Sequence, residues 1–90
     1  MAFVNQGGVP KNATASGAIA ASQCTIIGYH VNSTTGGTMV IRDGSTSSAT
    51  AVTGTITPGV GFTAFPASFS SGAYVTIANT LDVTFFVQGG

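Results

Sequence analysis

Apolar and polar residues alternate along the patterned stretches of this chain, and no window of helical length carries a 3.6-residue apolar repeat. Glu is absent, and Leu and Lys occur once each, so the strong helix formers are missing apart from Ala. Thr, Val, Ile, Phe and Tyr fill the structured stretches, and Gly, Asn and Pro interrupt them at short intervals. The alternation predicts strands at about 23–32, 38–43, 50–57, 73–78 and 81–87. Weaker extended pieces fall near 3–6, 15–20 and 61–66. Short strands with frequent turn signals predict an all-β fold, a small antiparallel β-sandwich or jelly-roll-like barrel.

Within 23–32, Thr25, Ile27, Tyr29 and Val31 alternate with Cys24, Ile26, Gly28 and His30. Both sets are partly apolar, as in a strand covered on both sides. The stretch 33–37 ends in two glycines and predicts a hairpin turn into 38–42, and Asp43-Gly44 predicts a second turn. A final hairpin is expected from 74–77 and 81–87 around Ala78-Asn79-Thr80. There Leu81, Val83, Phe85 and Val87 form one apolar set, and Phe86 stands among the polar residues Asp82 and Thr84. An aromatic on a polar face is a candidate contact with a neighbouring molecule. Phe62, Phe65 and Phe69 cluster in a segment that predicts an edge crossing the open end of a sandwich, with Pro66 removing a ladder donor. Residues 1–18 show weak periodicity and read as an N-terminal arm or extended segment, either one that orders on an adjacent subunit or a frayed terminus, leaving 19–90 as a single β-domain.

Composition shifts the reading from chemistry to assembly. Two Lys/Arg and two Asp/Glu are the charged residues of ninety, and the formal net charge is zero. Gly, Ala, Ser and Thr make up more than half of the chain. Free monomers ordinarily keep a charged, mixed-sign surface, so a nearly uncharged surface predicts packing against other protein. Ninety residues form one small domain of marginal stability, which needs a staple. One cysteine excludes an internal disulfide, and one Cys with one His makes a poor zinc site. Oligomerisation is the remaining staple. The N-terminus lacks the basic and apolar regions of a signal peptide, and no apolar run approaches the ~20 residues of a membrane-spanning helix. Two basic side chains cannot neutralise a phosphate backbone, so nucleic acid is not an expected partner.

Catalytic constellations are weak. His30, Asp43 or Asp82 and any serine nominally supply a hydrolytic triad, but so many serines make the match uninformative, and no Gly-x-Ser-x-Gly elbow occurs. Cys24 reads as a small buried hydrophobe and His30 as a structural or surface histidine. Asp43 reads as a turn initiator and Asp82 as a solvent-facing strand residue. Lys11 and Arg42 read as solubilising residues or partners of an Asp across a subunit boundary. Asp43-Gly44-Ser45 lacks the further oxygen ligands of a calcium loop, and the glycine pairs lack the Lys and helix of a phosphate loop. The expectation is a non-enzymatic protein without cofactor or metal.

The runs 25–32 and 37–44, the dipeptide Phe65-Pro66, the run 70–75 and the closing 81–87 together resemble small virion proteins of tailed bacteriophages. These include the capsid cement or decoration proteins of cyanophage-like viruses, and the similarity covers about residues 19–88. The resemblance implies a compact β-domain, commonly a homotrimer, made in the host cytoplasm and seated on the outer surface of the shell formed by the major capsid protein. A head-fibre base, a tail or baseplate component, and a carbohydrate-binding surface module are the competing expectations. For the last, Tyr29 and Tyr74 are the candidate stacking residues. The expected interface residues are Phe86, Phe65 and Phe69, followed by Phe62, Tyr74, Phe3 and Val4.

Overall fold

The computed structural model of the chain describes residues 9–89. They form six strands: β1 (Val9–Ala13), β2 (Gly17–Ala20), β3 (Cys24–Asp43), β4 (Thr50–Ala51), β5 (Gly61–Phe69) and β6 (Ala73–Gly89). All belong to one antiparallel sheet, and no helix occurs among the described residues.

The centre of the sheet is the long ladder between β3 and β6, which runs from Cys24↔Gly89 to Asp43↔Ala73. A straight strand of twenty residues would span ~66 Å. The longest dimension of the molecule is 43 Å, so the ladder must bend. It does so where both strands carry a left-handed residue, Gly36 (φ 64°) on β3 and Asn79 (φ 63°) on β6. The two sit at the same level, with Gly36 opposite Thr80 and the Asn79 amide donating to the Gly36 carbonyl at 2.9 Å. Gly37 completes the bend, because a Cβ there would collide with the Thr80 carbonyl oxygen and the Leu81 side chain.

This bend corrects the two hairpins expected at 33–37 and 78–80. In a hairpin the positive-φ residues lie in the loop where the chain reverses. Here one such residue stands on each strand, facing the other, and the pair bends together without parting.

The bend divides the sheet into two halves that share β3 and β6. In the first half the order is β1-β6-β3-β5, through residues 24–32 and 81–89 of the long strands. In the second it is β2-β6-β3-β4, through 38–43 and 73–78. Counted as eight consecutive segments, the halves read 1-8-3-6 and 2-7-4-5, the connectivity of a jelly roll. With no helix to cover them, Met39, Ile41, Val75, Val83 and Phe85 are fully buried, and they belong to one continuous core with Ile26, Val31, Leu81 and Phe69. Each half covers the apolar face of the other. The shortest dimension, 17 Å, suits two layers ~10 Å apart.

Register explains the core. In β6 the odd positions 73, 75, 81, 83, 85 and 87 are buried. In β3 the buried set changes parity, from Cys24 and Ile26 to Tyr29, Val31, Met39 and Ile41. The ladder shifts register between Ile26 and Gly28 against both β5 and β6. This bulge moves Cys24 and Ile26 onto the face of Tyr29 and Val31, so strict alternation through 24–31 is corrected.

The edges depart furthest from expectation. β1 lies within the expected arm, yet it pairs with Val83–Val87 of β6. Its exposed residues carry no apolar alternation. The expected strand at 3–6, and with it Phe3 and Val4, lies outside the described residues. Ser16 bridges β1 and β2: its hydroxyl accepts the Ile77 amide at 2.8 Å and donates to the Ile77 carbonyl at 3.3 Å, standing in for strand backbone. The expected strand at 50–57 contracts to β4 and an isolated bridge between Met39 and Ile56. Between them the Thr53 hydroxyl accepts the Ile41 amide at 3.0 Å. Residues 61–69 run as an edge strand along β3 and do not cross an open end.

Candidate contact surface

The two halves expose unlike outer faces. On the second half, Tyr74 stands opposite Arg42 and Ala18. Arg42 donates from Nε to the Thr76 hydroxyl at 3.0 Å and from Nη1 to the Ala49 carbonyl at 3.1 Å. These bonds lie within the chain and tie Arg42 to β6 and to the segment before β4. Tyr74 is half-buried beside it.

On the first half the outer face has an apolar centre. Phe62 on β5 is 58% exposed, and its ring lies 6.0 Å from that of Phe86 on β6 at an interplanar angle of 57°. The strand between them supplies Gly28, which pairs with Phe86 on one side and Ala64 on the other. A Cβ at Gly28 would lie 2.7 Å from the Phe62 ring and 2.7 Å from the Thr63 carbonyl oxygen. The absence of a side chain there lets an aromatic from the edge strand lie across β3 and reach β6, an arrangement that shields a sheet glycine. Pro10 pairs with Phe86 from β1, His30 pairs with Phe62, and Val60 beside the start of β5 is 69% exposed.

Polar groups close both ends of this centre. Toward the bend, the Asn12 amide donates to Asp82 Oδ1 at 2.7 Å and to the Thr84 hydroxyl at 3.1 Å, and the Asn32 amide donates to the same two atoms at 3.2 Å. Asn12 and then Asn32 hold the Asp82 carboxyl below its ordinary pKa. The cluster ties β1 to β6 and β3 across the face. At the other end the Thr25 and Ser68 hydroxyls meet at 3.3 Å, with Gln88 opposite Thr25.

The other expected contact residues separate from this centre. Phe65 is half-buried, with its ring 6.1 Å from Tyr29, and packs on the core. Phe69 is 2% exposed and has no surface to offer a neighbour, which corrects its expected role. It pairs with Cys24 at the inner end of β5. Tyr29 is likewise a core residue, with Phe85 6.0 Å away.

Cys24 and Asp43 both sit within the fold's own contacts. Burial, followed by the Asp43 carboxylate, pushes the Cys24 thiol above its ordinary pKa, which holds it as a neutral thiol. Asp43 accepts the Ser71 amide at 2.9 Å, the Ser70 amide at 3.3 Å and the Ser70 hydroxyl at 3.2 Å, and so closes the corner between β5 and β6. The Ser71 amide leads in holding its pKa below the ordinary value. Asp43 therefore caps a corner 27 residues further on, and does not simply start the turn at Gly44. A cavity of about 450 Å³ lies between β1 and β2, lined by residues from Pro10 to Ile19. Its lining holds no carboxylate, imidazole or thiol. Among the described residues no group of three or more His, Cys, Asp or Glu could hold a metal ion.

Sequence reasoning singled out Phe62 and Phe86 separately and missed what joins them. Gly28 is the floor of their contact, and Asn12 and Asn32 close it. No family model, no curated protein and no solved structure matches the chain.

Proposed function

We propose that this chain is a non-enzymatic structural protein of a tailed-bacteriophage virion. In this reading it is a cement or decoration protein that binds the outer surface of the major capsid protein shell as a trimer and stabilises it. The observation that carries the reading is where the few charges go. Arg42, Asp43 and Asp82 are all engaged in hydrogen bonds within the chain. Apart from the exposed Lys11, what remains for the outside is hydroxyls, small residues and one rimmed aromatic centre. Such a surface covers area without repelling its copies, and many identical copies can sit close together on a shell.

A cement protein adds buried area across joints between shell subunits, which resist the outward pressure of packaged DNA. A modest contact repeated many times suffices, and a trimer gains further because its second and third contacts form at high effective concentration. A rigid two-layer β-domain suits this work. The carbohydrate-binding alternative weakens, because Tyr29 belongs to the core and cannot stack on a sugar, which leaves Tyr74 alone. The test compares particles carrying the protein with particles from which it has been deleted. Deleted particles should lose DNA at lower temperature and on milder osmotic shock. Equal resistance of the two would refute the cementing role.

A further inference from the structure

Three of the four charged side chains are answered within the fold. Arg42 donates to the Thr76 hydroxyl and the Ala49 carbonyl, Asp43 accepts from Ser70 and Ser71, and Asp82 accepts from Asn12 and Asn32. Lys11 is exposed and has no hydrogen-bond or ion-pair partner among the described residues. It lines the cavity of about 450 Å³ between β1 and β2. We propose that this cavity receives an Asp or Glu side chain of the shell protein, with the Lys11 ammonium as the partner of its carboxylate. The proposal rests on the cement reading above and names the chemistry of one contact in it.

Position aims Lys11 at the cavity. Residues directly opposite in an antiparallel pair share a face. Lys11 stands opposite Phe85, which is fully buried in the core, whereas Asn12 stands opposite Thr84 on the outer face. Lys11 therefore leaves β1 on the inward side, away from the cluster around Asp82. There it meets the gap where the chain crosses through 14–16 from the first half to β2 in the second.

The lining selects a carboxylate on a short apolar stem. It carries one positive charge and no negative one. The Thr14 hydroxyl, also without a partner among the described residues, supplies a further donor. Ala13, Ala15, Ala18 and Ile19 keep the rest of the wall small and apolar. The volume falls within the ~300–1,000 Å³ of ligand pockets, room for a side chain and the backbone that carries it.

The carboxylate must come from another protein. Both acidic side chains of this chain are already hydrogen-bonded, and residues 1–8 contain neither Asp nor Glu. A second copy has none to offer for the same reason. A free anion gains little from an exposed ammonium, because water and salt screen the pair. A carboxylate carried by a docked protein surface is held there at high effective concentration.

Two probes test this on the full chain. The first is a blocked tripeptide, acetyl-Ala-Glu-Ala-amide, titrated at millimolar concentration into isotope-labelled protein. Amide resonances of residues 11–19 should move with this peptide and stay still with its Gln counterpart. Lys11→Arg should respond as the wild type does, and Lys11→Ala should not respond, with circular dichroism checking that both are folded. The second probe is the depleted particle. Lys11→Ala should bind it about tenfold more weakly than the wild type at low salt, and the gap should close as salt rises. Equal shifts from the Glu and Gln peptides, or from sodium acetate, would overturn the proposal. So would a Lys11→Ala protein that self-associates yet binds peptide and particles normally, since Lys11 would then only guard the β1 edge. A Glu-specific, Lys11-dependent shift in a protein that does not bind particles refutes the cement reading and leaves the carboxylate site standing. Full protection of particles by Lys11→Ala, with no peptide response in the wild type, refutes the site and leaves the cement reading standing.

Discussion

Gly28 shows how one residue without a side chain sets the chemistry of a surface. Its missing Cβ is the space into which the Phe62 ring settles, and the Thr63 carbonyl oxygen presses on the same space from β5. Gly28→Ala should therefore force β5 away from β3, as overpacking does, at a cost of about 1–3 kcal/mol. The urea midpoint measures it. Adding Phe62→Ala should recover only part of the loss, because the Thr63 oxygen belongs to the backbone and cannot swing aside. An unchanged midpoint in Gly28→Ala would show that the close approach is not real. Phe62 and Phe86 attract notice in the sequence as aromatics outside the apolar sets. Their partnership was hidden because it forms across a glycine more than thirty residues before either. A glycine in a strand pattern signals a close approach without naming what approaches.

At the scale of the elements, hydrophobic alternation placed 23–32, 38–43, 73–78 and 81–87 well, because a buried face constrains every second residue. Turn residues were less informative. Gly36, Gly37 and Asn79 carry the composition of hairpin turns, but left-handed residues also bend a strand that continues. The two uses differ in what lies opposite, which is a tertiary fact. β1 escaped notice, and the strand expected at 50–57 came out too long, for a related reason, since edge strands with little buried face leave little pattern. The bend itself makes a testable claim. Asn79 holds a left-handed φ, which disfavours residues other than glycine and asparagine by about 1–2 kcal/mol, and its amide also bonds Gly36. Asn79→Ala should lower stability by about that amount, while Asn79→Gly should lose less, since it keeps the conformation and forfeits only the amide contact. If calorimetry ranked alanine above glycine here, the matched bend would not be governed by backbone conformation.

For the molecule as a whole, scarcity of charge governs its response to acid. Both carboxylates, Asp43 and Asp82, have folded pKa values below the ordinary 3.8 because amide and hydroxyl donors surround the ionised form. A depressed carboxylate pKa contributes stability that is fully present above the unfolded value and is lost as pH falls through the folded value. The urea midpoint should thus decline below about pH 4, and Asp43→Asn should flatten part of that decline while lowering the plateau above it. The decline should stop short of unfolding. Ordinary domains unfold in acid partly because protonated carboxylates leave many cations repelling one another. Here protonation leaves two Lys/Arg and one His, three basic side chains in ninety residues. With so little repulsion available, the midpoint at pH 3 should also be nearly independent of added salt. A steep salt dependence there would refute the account, because it would require charge repulsion that the composition does not supply.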